Sequence, residues 1–313
     1  MKRLLTGVAL TMLGLSSQVY AQSLTSGSSA SGFLSANQTD SFTFDGNAGE
    51  GVRFRVNESV DSVGRVTLYK PDGSYFTYGN NAKTATLPDT GTYTAVIEFT
   101  DPSDVGSYTV HYVRGGDSVE DGALTSGTSH TGNLGAHDFD SFTFDGNAGE
   151  GVRFRIDESV SSIGQIILYK PDGSYFTYGN NAKTATLPDT GTYTAVVEFT
   201  NATQTGDYTV HYVRASDSVE NGSLSLGSTY YGYLGTHDFD SFTYTGLAGA
   251  VVNFTVSESV SSIGQVILYK PDGSYFTYGN NAKTVTLPDT GTYTVIVEFT
   301  NATQSGDYAI SVN

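Results

Sequence analysis

The 313-residue chain contains no cysteine and no tryptophan, has only two methionines, and carries 15 Lys+Arg against 32 Asp+Glu. Each shortage excludes a class of function. Without cysteine there is no disulfide framework, thiolate zinc site, iron–sulfur cluster or cysteine nucleophile. A formal charge of -17 repels a polyphosphate at every approach, because nucleic-acid affinity rests on Lys and Arg displacing backbone counterions. Nucleic acid is therefore not an expected partner. Long apolar runs are also missing: the stretch Leu4 to Leu15 is too short for an ordinary transmembrane helix, and no later segment is longer. Lys2 and Arg3 precede that stretch and Val19-Tyr20-Ala21 follows it, which reads as a secretory signal peptide over residues 1–21, cleaved before Gln22. Export outside the inner membrane of a bacterium, to the periplasm or beyond, is the expected localisation. Both methionines lie in that segment, so the mature chain is free of sulfur.

Against these absences stand 22 Tyr, 17 Phe and 37 Gly, a composition too apolar and aromatic for disorder. The sequence is also a repeat. LYKPDGSYFTYGNNAKT, Leu68 to Thr84, recurs letter for letter at Leu168 to Thr184 and Leu268 to Thr284, a period of 100 residues. That period is the size of a domain. It divides the chain into residues 22–116, 117–216 and 217–313.

Within a copy the apolar period is two. Val52, Phe54 and Val56 alternate with Arg53 and Arg55, and Tyr93, Ala95, Ile97 and Phe99 alternate with Thr94, Val96 and Glu98. One dry and one wet face per strand is the mark of antiparallel sheets packed in two layers. Lys70-Pro71-Asp72-Gly73 and Gly79-Asn80-Asn81 supply turn residues. Runs bounded by such turns predict about eight short strands per copy. The expected fold class is all-β, three tandem jelly-roll-like antiparallel β-sandwiches.

The order Gly32-x-Leu34, Asp40-Ser-Phe-Thr-Phe44, Ala48-Gly49, Leu68-Tyr-Lys-Pro-Asp-Gly73, Gly91-Thr-Tyr93 and Gly106-Ser-Tyr-Thr-Val110 resembles the bacterial pre-peptidase C-terminal domain, in all three copies. The resemblance implies a jelly-roll sandwich that accompanies exported hydrolases, and, through related collagen-binding domains, calcium near the N-terminal linker. Leu87 to Tyr93 is also similar to the tyrosine corner of immunoglobulin-like sandwiches.

Catalytic signatures are weak. His137-Asp138-x-Asp140 and His237-Asp238-x-Asp240 have no counterpart in copy one, and no zincin-type spacing occurs. Gly116-Asp117-Ser118-Val119 is similar to an esterase nucleophile block but lacks the strand–turn–helix context. No catalytic residue is assigned. Calcium is the expected cation, since oxygen ligands abound. One group is Asp45, Asn47 and Glu50, repeated as Asp145, Asn147 and Glu150 but replaced by Thr245, Leu247 and Ala250. The other is the linker set Asp117, Glu120 and Asp121, with Asp217, Glu220 and Asn221.

Exposed aromatics complete the candidates. Adjacent strand residues face opposite sides, so one of Tyr75 and Phe76, and Tyr78, should lie outside the core, as should members of the copy-three set Tyr230, Tyr231 and Tyr233. Aromatic faces beside Asn and Thr suit sugar rings or a protein groove. The expected function is a secreted, non-catalytic binding, adhesion or matrix protein whose partner is an extracellular polysaccharide, protein or cell surface. The alternative is an accessory protein that targets or chaperones a separately encoded hydrolase.

Overall fold

The computed structural model describes residues 22–313, so the signal-peptide reading lies outside the described residues. The first copy runs β1 (Gln22–Ser23), β2 (Ser28–Leu34), β3 (Asp40–Gly46), β4 (Gly51–Glu58), β5 (Gly64–Tyr69), β6 (Tyr75–Asn80), β7 (Ala82–Thr86), β8 (Gly91–Phe99) and β9 (Gly106–Arg114). One sheet has the order β1-β3-β8-β5-β6 and the other β2-β9-β4-β7. All pairings among β2 to β9 are antiparallel, and β1 adds a short parallel edge to β3. Numbered from β2, the two orders are 2-7-4-5 and 1-8-3-6, which is the jelly-roll interleaving of two Greek keys. The second and third copies repeat it 100 and 200 residues on.

The period-two pattern fixes this arrangement, because each strand must turn one row of side chains inward. Phe44, Phe54, Tyr93 and Tyr112 meet between the layers, with ring centroids 4.8 to 5.4 Å apart. The Tyr93 hydroxyl donates to the Asp89 carbonyl at 2.6 Å and accepts from the Asp89 N–H at 2.9 Å, so the buried phenol leaves no polar atom unmet. This is the tyrosine corner that the Leu87 to Tyr93 motif implies. Asn81, at a φ of 59°, turns the chain from β6 in one sheet to β7 in the other. Each copy has its own apolar core.

The sandwiches do not hang on free linkers. The outward row of β4 and β9 in one copy packs against the outward face of the next. Val113 joins Phe139, Ile167, Tyr169 and Val196 in a buried cluster, and Val213 and Ala215 join Phe239, Ile267, Tyr269 and Ile296. Beside the first cluster, Arg53 donates through Nε at 3.0 Å and Nη2 at 2.6 Å to the Glu198 carboxylate. Arg55 adds Nε at 3.1 Å and reaches the Phe199 carbonyl at 3.0 Å. The second junction repeats the set with Arg153, Arg155 and Glu298. Burial works against the charge of Glu198, but the two guanidiniums outweigh it and hold its carboxyl below the ordinary range.

Glycine allows the close approach. The Gly51 N–H donates to the Gly173 carbonyl at 2.8 Å, and a Cβ on Gly51 would run into the Tyr169 ring.

Glu198→Ala leaves two guanidiniums in the junction without a counter-charge, an effect of about 3–5 kcal/mol. It should lower the melting temperature of the full chain and expose the 114–119 connection to protease. Glu98→Ala is the control: Glu98 is 33% exposed and pairs with Arg65 at 3.2 Å on the surface, so the change expected there is within about 1 kcal/mol. Equal effects of the two substitutions would contradict the docked junction.

Candidate functional site

Docking creates two equivalent grooves that no single sandwich contains. At the first junction β4 and β7 contribute Arg53 and Thr84, and the next copy contributes Gln165, Ile167, Tyr175, Tyr178 and Asn180, around a volume of about 330 Å³. At the second, Arg153 and Thr184 face Gln265, Ile267, Tyr275 and Tyr278, with Glu298 at the side, around about 220 Å³. The first is at the small end of the range for ligand sites and the second lies below it, and both are open to solvent.

The groove's parts are set by strand geometry. Tyr175 and Tyr178 leave opposite sides of a ladder interruption: the register shifts between Leu168 and Tyr169, opposite the strand Tyr175–Asn180. That shift brings two tyrosines three residues apart onto one exposed surface. Their polar neighbours are pre-aligned. The Gln165 amide donates to Asn180 Oδ1 at 2.8 Å, and Arg53 Nη1 donates to the Thr84 hydroxyl at 2.7 Å. With its charge answered by Glu198, Arg53 presents a positioned but neutralised edge.

The sequence-predicted residues divide. Tyr75 and Tyr78 are half exposed and belong to the corresponding surface of copy one, but no sandwich precedes them among the described residues, and Arg65 lies over the Tyr78 ring at 5.2 Å. Tyr230 packs on Phe242 at 4.8 Å and is part of the third core. Tyr231 and Tyr233 stand exposed on the edge strand Thr229–Leu234, away from the grooves.

The loop set proposed for calcium has other partners. Asp45 accepts from the Thr92 hydroxyl at 2.6 Å, Asn47 donates to Glu50 at 2.7 Å, and Glu50 meets Arg114 at 2.8 Å. Asp145, Asn147, Glu150 and Arg214 repeat these contacts. The loop thus clamps the arginine that leads out of the sandwich.

The linker set is also split. Asp117 pairs with Arg114 at 2.6 Å, and Asp217 pairs with Arg214 at 2.6 Å. Glu120 and Asp121 instead join Asp140, their carboxylate oxygens lying within 4.8 Å of one another. Asp140 accepts the Tyr208 hydroxyl at 2.5 Å, and Asp40 and Asp240 accept from Tyr108 and Tyr308 in the same way. Burial, then the Asp121 and Asp138 charges, push Asp140 up to about 7 and Glu120 up to about 6. In copy three Glu220 is pushed up to about 7 and Asp240 to about 6, again by burial first. Three clustered carboxylates suit a hard, oxygen-seeking cation and leave its remaining positions to water.

Two histidines serve the junctions. His111 faces Asp138 at 2.9 Å and His211 faces Asp238 at 3.1 Å, each pair crossing between sandwiches. Neither pair lines a groove.

No family model matches the chain, and no curated protein matches it. Among solved structures, it is similar to the triple jelly-roll protein of an archaeal virus turret assembly, at 9% identity over 88% of this chain and 82% of that one, with a TM-score of 0.21. It is also similar to tripeptidyl peptidase 2, at 7% identity over 93% of this chain and 32% of that one, with a TM-score of 0.21. No helix among the described residues is long and apolar enough to cross a membrane.

The acidic cluster gives a pH test. A carboxyl whose folded pKa is raised contributes stability that is full below its unfolded value, near 3.8 for Asp140, and lost as pH rises through about 7. In chelator, stability should therefore fall between about pH 4 and pH 7 and be lowest above that. Asp140→Asn keeps an acceptor for Tyr208, should flatten that fall and should melt above wild type at pH 8, by about 4–8 °C for each kcal/mol of repulsion relieved. A variant that melts lower at pH 8 would contradict the clustering.

Proposed function

We propose that the chain is a secreted, non-catalytic β-sandwich rod that binds neutral extracellular polysaccharide in its junction grooves, as an adhesion or matrix component. The observation that carries this reading is the repetition of one groove, with two exposed tyrosines beside Gln and Thr side chains, at both junctions, the Gln amide being held by Asn180 in one and Asn280 in the other. Tyrosine rings offer rigid apolar faces to the C–H side of a sugar, and the amides and hydroxyls offer donors and acceptors to its edge. A net charge of -17 disfavours acidic polymers, which points to a neutral glycan. Two like sites on a stiff array engage one polymer together and raise its avidity. The jelly-roll order and the placement of the motifs also support kinship with pre-peptidase C-terminal domains.

Calcium has a place in this reading as a stabiliser of the second and third sandwiches, held by Glu120, Asp121 and Asp140 and, with one amide, by Glu220, Asn221 and Asp240. Binding to the folded state alone adds about 2.7 kcal/mol at a hundredfold excess over Kd. At pH 8 calcium should raise the melting temperature of wild type and leave Asp140→Asn combined with Asp240→Asn unmoved. An equal rise in both proteins would remove calcium from these residues.

Co-sedimentation with insoluble β-glucan, chitin and cross-linked dextran tests the central claim. Retention of wild type on at least one of them is expected. Tyr175→Ala with Tyr275→Ala should weaken it by at least about tenfold, the effect of removing a contact worth 1.4 kcal/mol or more. Tyr75→Ala, on a surface with no second wall among the described residues, should change it little. Retention on none of the three, or equal loss with Tyr75→Ala, would contradict the reading.

A further inference from the structure

We infer that the junction is a head-to-tail recognition interface between like domains, and that substitutions on the leading face of the first copy and the trailing face of the third close those faces, so that they do not recruit a second chain. A heterologous interface repeated along one axis extends without limit unless its ends are altered. Both ends are altered here, and on the contact residues.

The leading face of the second and third copies presents Phe139 or Phe239, Ile167 or Ile267, and Glu198 or Glu298. In the first copy the same positions hold Thr39, Thr67 and Glu98. Arg65 replaces Gln165 and Gln265 and answers Glu98 within its own sandwich at 3.2 Å, also covering Tyr78. The carboxylate that would attract a neighbour's arginines is already neutralised, and the apolar plug is polar.

The trailing face of the first and second copies presents Gly51 or Gly151, the two-arginine row, a histidine and Val113 or Val213. In the third copy Asn253 and Thr255 replace the arginines, Ser311 replaces the histidine and Asn313 the valine. Val251 replaces the glycine and is exposed. A Cβ at Gly51 or Gly151 collides with the tyrosine of the next copy, so Val251 excludes an incoming Tyr169-like ring by its bulk. Loss of attraction and steric exclusion thus coincide on one face.

The test restores each face separately in the full chain. One variant carries Val251→Gly, Asn253→Arg, Thr255→Arg and Asn313→Val. The other carries Thr39→Phe, Arg65→Gln and Thr67→Ile. By light scattering after size exclusion, wild type and each variant alone should show the mass of one chain, and an equimolar mixture should show twice that mass. Wild type that self-associates, or a mixture that stays at one chain while both variants melt as wild type does, would overturn the inference. Gly51→Val provides an independent arm, because it places the closing side chain at an internal junction. Opening of the first junction, read as rapid cleavage in residues 114–119, is expected; cleavage no faster than in wild type would equally overturn it.

Discussion

A carboxylate buried between two sandwiches and bracketed by two guanidiniums is the constraint on which the array depends. Glu198 is 3% exposed and Arg55 4%, so neither charge has water to fall back on if the sandwiches part. A buried pair adds little net stability over an apolar contact of the same size, but breaking it is costly. It therefore acts as a register. The apolar cluster around Val113 and Tyr169 supplies non-directional attraction, and the fork of Arg53 on Glu198 selects one orientation. Once the orientation is fixed, Thr84 and Arg53 stand opposite Tyr175 and Tyr178, and the groove follows without further cost in ordering.

This makes the groove a property of the pair of domains. Each sandwich alone shows scattered exposed tyrosines of the kind antiparallel sheets commonly use for cross-strand packing. Only a docked neighbour supplies the second wall. The same economy governs the linker: Arg114 is held by Glu50 on one side and Asp117 on the other, so the connection leaves the sandwich at a defined angle. Residues with metal-like spacing in the sequence thereby find a mechanical role.

The fold was almost wholly legible from the sequence, and the site was not, for one physical reason. Alternation in Gly51 to Val56 puts Val52, Phe54 and Val56 inside and Arg53 and Arg55 outside, and the structure agrees. Outside a sandwich, however, is not the same as in water. Period two reports which side of a strand faces its own core, and it is silent about a neighbouring domain. The signal that did exist was in the differences between copies. Arg53, Arg153 and Asn253, or Gln165, Gln265 and Arg65, break an otherwise close repeat at positions where, among the described residues, one copy has no neighbour on that face. The strand number was nearly legible because glycine and proline turns bracket most strands, whereas the short parallel edge β1 carries no such signal. Tyr75 and Tyr78 were identified in the copy for which no second wall stands among the described residues, since the three segments are identical in sequence and only their surroundings distinguish them.

The account stands on the sandwiches being docked in solution as a single stiff body. Because the chain has no cysteine, Asp61→Cys and Ser261→Cys introduce two unique labelling points on equivalent exposed loops of the first and third copies. Pulsed electron–electron resonance between spin labels at these positions measures their separation directly. One narrow distance distribution at the separation of this structure is predicted. A broad distribution, of the breadth expected for sandwiches moving on flexible tethers, would contradict it.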